Sequence, residues 1–162
     1  MVCGTNLHQM MSRLQKVVNE LEAWGDTAGL KFNASKTETI IFTRKQTRTI
    51  DMPNKLQVSG KEVEFNTHAK YLGVTLDSRL TWGLHFSNIL NRAKKYLFTL
   101  KSAVIKAWGP KPKFLRWIYT AIVRPRLTYA SVAWGHTVQQ ISRKDQLNKL
   151  NRLAASMITP VY

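Results

Sequence analysis

The stretch YLGVTLDSRLTWGLHFSNILNRAKKYLFTLKSAV at residues 71–104 decides the fold class, because its hydrophobic pattern changes period. Tyr71–Leu76 carries aromatic and β-branched residues, which predicts a strand. From residue 82 onward, apolar residues recur every three or four positions, which predicts an amphipathic helix. The sequence therefore predicts a boundary between a strand-containing part and a helical part near Asp77 to Trp82.

The helix after this boundary has an apolar back and a basic front. At 100° per residue, Arg92, Lys95 and Lys106 fall opposite the apolar stripe. Gly109-Pro110 is expected to end the helix. The stripe comprises Phe86, Ile89, Leu90, Ala93, Leu97, Leu100 and Val104.

Two further helices are predicted toward the end of the chain. One starts near Lys113 and is ended or kinked by Pro125, and residues 127–134 are apolar and expected to be largely buried. The last helix begins near Ser142, where Ser142–Asp145 resembles a capping box. The expected inward faces are Phe114, Trp117, Ile118, Ala121 and Ile122 in the first helix, and Leu147, Leu150, Ala154 and Met157 in the second.

The hydrophobic pattern in the first half of the chain predicts one helix and several strands. Residues 6–24 have helical periodicity, with Thr5 or Asn6 as the cap, Gly25 or Gly29 at the end, and an apolar stripe assigned to the core. Residues 38–43 predict a strand, and residues 56–65 predict a hairpin around Ser59-Gly60-Lys61. The expected fold is α+β: an N-terminal helix and a small antiparallel sheet in residues 1–80, then a basic helical bundle in residues 81–162.

Charge is distributed unevenly along the chain, which carries a net +16. Residues 1–77 contain ten basic and eight acidic residues, a net charge of +2. Residues 78–162 contain fifteen basic residues and one acid, Asp145, a net charge of +14. Because residues 78–162 are strongly basic, a polyanionic partner is favoured, and nucleic acid is the leading candidate. An anionic membrane surface is the second candidate, and a merely basic soluble protein is the third.

Several classes of site lack the residues they need. The single Cys3 excludes an internal disulfide and a cysteine-rich zinc site. The four histidines do not have metal-ligand spacing, and no carboxylates are paired for two Mg²⁺ ions, so no metal site is expected. No apolar run is long enough for a membrane span and no secretory signal is visible, so we expect an intracellular protein without a membrane partner.

Two segments resemble motifs of non-LTR retrotransposon reverse transcriptases of the jockey kind. GLKFNASKTE at residues 29–38, followed by an apolar strand, resembles their motif D. KYLGVTLD at residues 70–77 resembles motif E, the primer grip. Downstream residues resemble the thumb and connecting region of these enzymes: Leu80, Thr81, Trp82, His85, Trp108, Gly109, Tyr119, Pro125, Tyr129 and Trp134.

The resemblance covers an interior slice of the family. It implies that residues 1–80 are the end of a polymerase palm and that residues 81–162 are the thumb region. The family's pair of Mg²⁺-binding aspartates would lie just before residue 1, on an upstream palm and fingers segment. The chain alone is therefore expected to bind no cofactor and to be inactive, whereas the intact enzyme would use Mg²⁺. A nuclear location is also implied by the resemblance.

Individual residues inherit roles from these motifs. Lys36 would be the general acid that protonates leaving pyrophosphate in an intact enzyme, or else an ordinary solvated lysine. Asn33 is expected to fix its loop by side-chain to backbone hydrogen bonds. The primer grip would comprise Lys70, Tyr71, Leu72 and Gly73, although Tyr71 and Leu72 could instead fill the core, with Gly73 at a bulge.

The basic helices would follow phosphates of an RNA–DNA or DNA duplex through Arg92, Lys95, Lys101 and Lys106. The alternative is an ordinary solvated face, which the near-absence of acids argues against. Tryptophans could stack on bases, but at least three of four are expected in the core: Trp82, Trp108, Trp117 and Trp134.

Three hypotheses follow. The first is a reverse-transcriptase fragment that binds primer–template, and the second is a non-catalytic nucleic-acid-binding protein from a degraded retroelement. The third is a basic module at a membrane surface, which would need a helix with a free apolar face.

Overall fold

The computed structural model describes residues 1–44, 55–104 and 111–159 and combines helices with short strands, as the sequence predicts. The helices are α1 (Leu7–Thr27), α2 (Gly83–Val104), α3 (Pro112–Ile118), α4 (Arg124–Thr128), α5 (Ser131–Trp134) and α6 (Ile141–Ile158). The strands are β1 (Thr39–Ile40), β2 (Leu56–Val58), β3 (Lys61–Val63), β4 (Phe65–Asn66), β5 (His68–Tyr71) and β6 (Val74–Asp77).

The chain forms two compact units. Unit 1 comprises Met1–Tyr71 and Leu76–Leu80, and unit 2 comprises Leu72–Thr75 and Thr81–Tyr162. The change of hydrophobic period in residues 71–104 therefore separates most of the strands from the helical region.

The strands form three separate pairs: β1 with β4, β2 with β3, and β5 with β6. The prediction of a single small antiparallel sheet is therefore wrong, and β1 runs parallel to β4. A parallel pair needs a long connection, and here that connection contains the β2–β3 hairpin. The predicted strand at residues 38–43 is shortened to two residues, Thr39 and Ile40. Sequence periodicity cannot reveal which strand will be the partner.

The predicted hairpin at residues 56–65 is confirmed. Strands β2 and β3 pair antiparallel, with Leu56 opposite Val63 and Val58 opposite Lys61. The two residues between the strands both have positive φ, 49° for Ser59 and 72° for Gly60. This is the geometry of a two-residue type I′ turn, whose twist matches that of the strands.

The core of unit 1 lies between α1 and this hairpin. Leu56, Val58 and Val63 are buried, and Met11, Leu14, Val18 and Ala34 pack against them. The Gln15 side chain also bonds to the backbone of β2. Its Nε2 donates to the Gln57 carbonyl oxygen at 3.0 Å, and its Oε1 accepts from the Gln57 N–H at 2.9 Å. The side chain thus pairs with β2 as a neighbouring strand would.

The interpretation of the whole α1 stripe as core is only partly right. Val17, Leu21 and Trp24 are exposed, with Trp24 58% exposed. The α1 residues that pack against the hairpin core, Met11, Leu14 and Val18, lie nearer the start of the helix.

Both ends of α1 lie close to the positions predicted from the sequence. The predicted cap Asn6 accepts a hydrogen bond from the Gln9 N–H at 3.2 Å. The helix ends at Thr27, and the next turn brings the Leu30 N–H to the Gly25 carbonyl oxygen at 2.7 Å. Gly25 is buried, and a Cβ added there would lie 2.9 Å from the Leu30 carbonyl oxygen. The glycine therefore permits a close backbone approach.

Unit 2 has a larger core, in which α2 packs against α4 and α6. The predicted α2 stripe is confirmed for the described side chains: Phe86, Leu90, Ala93 and Leu97 are buried, and Ile89 and Leu100 are half-buried. The other helices contribute Leu115, Val123, Leu127, Trp134, Leu150, Ala154 and Met157.

The segment from α3 to α5 departs from its predicted pattern. Leu115 and Val123 are buried instead of Phe114 and Trp117, which are 50% and 59% exposed. A π-helical turn at Tyr119–Val123 follows α3 and interrupts the regular 3.6-residue period for the residues after Ile118. Pro125 falls in the first turn of α4, where its missing N–H costs little. Pro125 therefore follows an irregular turn and does not end the helical segment.

Helix α6 buries Leu150, Ala154 and Met157 and half-buries Leu147, as predicted. The predicted capping box is wrong, because the helix begins at Ile141 and no side chain caps it. Ser142 lies inside the first turn, where it cannot be the N-cap. Arg143 instead donates from Nη2 to the Thr81 carbonyl oxygen at 2.9 Å, and its guanidinium lies 5.4 Å from the Phe86 ring centroid.

Candidate nucleic-acid interface

Lys36 is exposed at the end of a 3-10 turn, Ala34–Lys36, in unit 1. The Asn33 side chain holds this turn: its Oδ1 accepts from the Ser35 N–H at 3.0 Å and from the Ser35 hydroxyl at 2.6 Å. The prediction that Asn33 fixes the loop through its side chain is confirmed. The lysine therefore extends from a short turn with its own cap.

The two segments that resemble motifs D and E are joined within unit 1. Glu38 follows Lys36 by two residues, and its Oε2 accepts a hydrogen bond from the Lys70 backbone N–H at 3.0 Å. The bond crosses 32 residues of sequence. No local pattern in the sequence indicates this role of Glu38, because it depends on the two segments lying together in the fold.

The segment predicted as a strand at Tyr71–Leu76 contains a turn. Leu72 and Gly73 have φ of 46° and 82° and separate β5 from β6. Tyr71 and Leu72 are 66% and 72% exposed, so they do not fill the core in this chain. A positive φ at a leucine is uncommon and costs energy that the surroundings must offset.

One contact within unit 2 holds this turn. The Tyr129 hydroxyl donates to the Leu72 carbonyl oxygen at 2.9 Å. The Tyr129 carbonyl oxygen in turn accepts from the Trp134 indole N–H at 2.9 Å. Trp134 is buried and packs edge-on against Phe86 and His85. The turn is thus tied to the core through a chain of two hydrogen bonds.

The basic residues of α2 occupy different faces. Arg92, Lys95 and Lys101 are all exposed. Arg92 and Lys101 are separated by nine positions, about two and a half helical turns, so they project in opposite directions. Lys106 lies outside the described residues. The α2 cations therefore surround the exposed side of the helix and do not form one row.

A cavity of about 460 Å³ lies in unit 2 beside α2 and α4, and we call it the α2–α4 cavity. It brings Gly73 of the turn together with Arg92 of α2, which sequence reasoning had placed in two separate sites. Arg126 also lines it, with its guanidinium carbon 4.5 Å from the Tyr96 ring centroid. The remaining lining residues are His85, Ile89, Ala93, Tyr96, Pro125 and Tyr129.

His85 is the buried polar residue of this cavity, with 2% of its surface exposed. Its Nδ1 accepts a hydrogen bond from the Thr75 N–H at 3.2 Å. Its Nε2 has no hydrogen-bond partner among the described residues. Burial lowers the pKa of His85 below the ordinary value of 6.5, and the nearby Arg92 lowers it further. The imidazole is therefore neutral at pH 7, with its proton on Nε2.

An exposed aromatic pair lies on α3. The rings of Phe114 and Trp117 stack with centroids 5.9 Å apart and an interplanar angle of 26°. The exposed Lys113 and Arg116 adjoin them in the sequence. Of the four tryptophans expected mainly in the core, Trp82 and Trp134 are buried and Trp117 is exposed. Trp108 lies outside the described residues.

Residues 1–44, 55–104 and 111–159 contain no cluster of three or more metal-ligating side chains. No helix in the same ranges is long and apolar enough to cross a membrane.

Comparison with curated proteins identifies the relatives of this chain. A probable RNA-directed DNA polymerase from transposon BS of Drosophila melanogaster is 29% identical over 92% of the chain. The RNA-directed DNA polymerase from mobile element jockey of the same species is 29% identical over 91% of it. The jockey polymerase of Drosophila funebris is 28% identical over 98% of it. The chain is thus similar to jockey-like RNA-directed DNA polymerases of non-LTR retrotransposons.

The resemblance recognised in the sequence motifs is thereby confirmed. The chain spans 15–16% of the length of these three relatives. No protein-family model matches the chain, and no solved structure matches it.

Proposed function

We propose that this chain is a primer–template-binding segment of a non-LTR retrotransposon RNA-directed DNA polymerase. The observation that carries the proposal is the +14 charge of residues 78–162, in which Asp145 is the only acid. Arg92, Lys95 and Lys101 are exposed on α2, where phosphates can reach them. Contacts of this kind hold a nucleic-acid backbone without reading its sequence.

The exposed pair on α3 adds a second mode of contact. Aromatic rings beside cations bind unpaired bases by stacking, and this contact depends little on sequence. Phe114 and Trp117 present such a surface, with Lys113 and Arg116 adjoining them. We propose that they contact single-stranded template next to the duplex.

The turn at Tyr71–Gly73 is the proposed primer grip. Its exposed Tyr71 and Leu72 can touch the end of a primer strand, and Lys70 is the neighbouring phosphate contact. The bond from Tyr129 to the Leu72 carbonyl oxygen keeps the turn in its conformation.

Catalysis would require more than this segment. In a longer protein that supplies the upstream palm, fingers and aspartate pair, Mg²⁺ would bind to those aspartates, and Lys36 would protonate the leaving pyrophosphate. Exposure of Lys36 on a capped turn is compatible with that role. A nuclear location would follow from the same family relationship.

The second candidate is a non-catalytic nucleic-acid-binding protein from a degraded retroelement. The same exposed cations of unit 2 support it, because duplex binding needs no aspartates. Primer extension with Mg²⁺ and all four nucleotides by a longer protein that includes this chain would favour the polymerase. Binding without extension in that protein would favour the second candidate.

The decisive experiment measures binding of this chain to an RNA–DNA duplex by fluorescence anisotropy at several salt concentrations. The logarithm of the affinity should fall linearly with the logarithm of salt, by about 0.9 for each neutralised phosphate. The double variant Arg92→Glu/Lys95→Glu should bind at least about tenfold more weakly and show a shallower slope.

A matched control is Arg13→Glu/Lys16→Glu, which makes the same change in net charge on exposed positions of α1. It should weaken binding much less than the α2 variant. An equal loss in both variants would show that only net charge matters. A flat salt response, or tighter binding to anionic vesicles than to the duplex, would contradict the proposal and favour a membrane surface.

A further inference from the structure

The α2–α4 cavity has the size and lining of a ligand site. Its volume of about 460 Å³ falls within the range of small-molecule pockets. Its walls belong to unit 2 alone and include apolar and aromatic residues together with three nitrogen-bearing side chains: His85, Arg92 and Arg126. No carboxylate lines it. The cavity is therefore suited to an anion that has an apolar or aromatic body.

Arg92 and Arg126 supply the charge. Arg92 comes from α2 and Arg126 from α4, so the cations approach the cavity from different helices. The Tyr96 ring lies against the guanidinium of Arg126 and restrains its orientation. A planar guanidinium matches the geometry of phosphate oxygens and can donate two hydrogen bonds to them.

His85 supplies a neutral donor. The Thr75 N–H donates to Nδ1, so the neutral ring carries its proton on Nε2. That N–H is buried and has no partner in the described structure. A buried donor without an acceptor is uncommon, and it loses the hydrogen bond that water would give it. A ligand oxygen in the cavity would restore that bond.

We propose that the α2–α4 cavity binds the phosphate group of a nucleotide or of a nucleic-acid strand end, with His85, Arg92 and Arg126 as its ligands. Tyr96 and Tyr129 line the space for the attached sugar or base. The proposal rests on the proposed nucleic-acid function for its ligand class and shares Arg92 with it, whereas His85 and Arg126 belong to the cavity alone. It adds a site for one terminal phosphate to the contacts with backbone phosphates.

The test compares binding of two short single-stranded DNA oligonucleotides that differ only in a 5′ phosphate or a 5′ hydroxyl. The wild-type chain should bind the phosphorylated strand about tenfold more tightly, an increment of the size that one charge-assisted hydrogen bond can give. In Arg92→Gln/Arg126→Gln this ratio should fall to about one. Both positions are exposed, so folding should be retained.

Lys94→Gln/Lys149→Gln is the matched control, since it removes the same charge from exposed positions outside the cavity. It should weaken binding of both strands equally and leave the ratio near ten. A wild-type ratio near one, or a ratio retained in Arg92→Gln/Arg126→Gln, would overturn the site. If neither strand binds in a salt-dependent manner, the proposed function itself fails, which is a distinguishable result.

A second measurement observes the site directly. At pH 8 the His85 ring is neutral, and imidazole NMR signals can be followed as adenosine monophosphate is added. The Nε2 signal of His85 should shift, whereas the signals of His8, His68 and His136 should not. A shift with the mononucleotide assigns the site to free nucleotide phosphates, and a shift with only the phosphorylated strand assigns it to strand ends. No shift with either probe would contradict the proposal.

Discussion

Helices α1 and α2 are similar in length, 21 and 22 residues, and both carry an apolar stripe, yet they bury it differently. The α2 stripe packs against α4 and α6, and Phe86, Leu90 and Leu97 are at most 2% exposed. Within the described part of unit 1, the α1 stripe packs against the β2–β3 hairpin, and Leu21 and Trp24 are exposed. An amphipathic pattern thus identifies the face of a helix that can be buried. The elements that pack against this face decide how much of it is buried.

The largest expected effect is the difference in the free energy of unfolding between leucine truncations in the two helices. Leu90→Ala removes a side chain that is 1% exposed and leaves a cavity. It should destabilise unit 2 by about 2–5 kcal/mol. Leu21→Ala, at a position 46% exposed, should cost less than about 1 kcal/mol. Urea unfolding followed by circular dichroism measures both, and similar costs would mean that α1 has a further packing partner.

A smaller effect is expected at the C-terminal end of α1. Gly25→Ala places a Cβ 2.9 Å from both the Leu30 carbonyl oxygen and the Phe32 ring. The strain should exceed the gain of about 1 kcal/mol that alanine brings to a helix interior. The free energy of unfolding should therefore fall by about 1–2 kcal/mol. An increase in stability would show that the turn at Leu30 can move aside.

The contact of α1 with the hairpin also depends on Gln15. Gln15→Ala removes both hydrogen bonds to Gln57 and exposes the β2 backbone to water. A loss of about 1 kcal/mol in unit 1 is expected, since these bonds are solvent-exposed. Gln9→Ala on the same helix is the control, because Gln9 bonds to the Asn6 side chain through its backbone N–H, which the substitution keeps. If both variants lose the same stability, the loss comes from the substitution of a residue in α1 and not from the hydrogen bonds to Gln57.

The smallest effect concerns pH and belongs to unit 2. Burial and Arg92 lower the pKa of folded His85, so the unfolded chain binds its proton more readily near pH 6.5. The contribution of His85 to stability is therefore constant above about pH 6.5 and declines as pH falls toward the lower folded pKa. The neighbouring charged and ionisable groups of the cavity are Arg92, Arg126, Tyr96 and Tyr129.

The variant His85→Gln tests this dependence because its side chain does not titrate. Thermal unfolding at pH 7.5 and pH 5.5 should show a larger loss of stability in the wild type than in His85→Gln. The difference between the two proteins isolates His85 from the carboxylates, which titrate in both. Identical losses would show that His85 is protonated as easily in the folded state as in the unfolded state.

Sequence reasoning succeeded where the information is local. Asn6 caps α1, Asn33 holds its turn, and the hairpin at residues 56–65 forms around a glycine turn, because each depends on neighbours only a few positions away. It failed at Phe114 and Trp117, because in α3 it is Leu115 that faces the core, and the choice of the buried face depends on packing with other elements. It also failed at Leu72-Gly73, where an apolar run predicts a strand but the structure has a turn. A hydrogen bond from Tyr129, 57 residues away in the sequence, stabilises this turn.

By itself, the sequence determined the α+β class, the period of the α2 stripe, the concentration of charge after residue 77 and the similarity to jockey-like polymerases. These are properties of local spacing and composition. Only the tertiary structure decided that β1 pairs parallel with β4, that Glu38 bonds to the Lys70 backbone, and that His85, Arg92 and Arg126 line one cavity. The physical reason is that each of these meetings joins residues far apart in sequence, and their geometry depends on how whole elements pack.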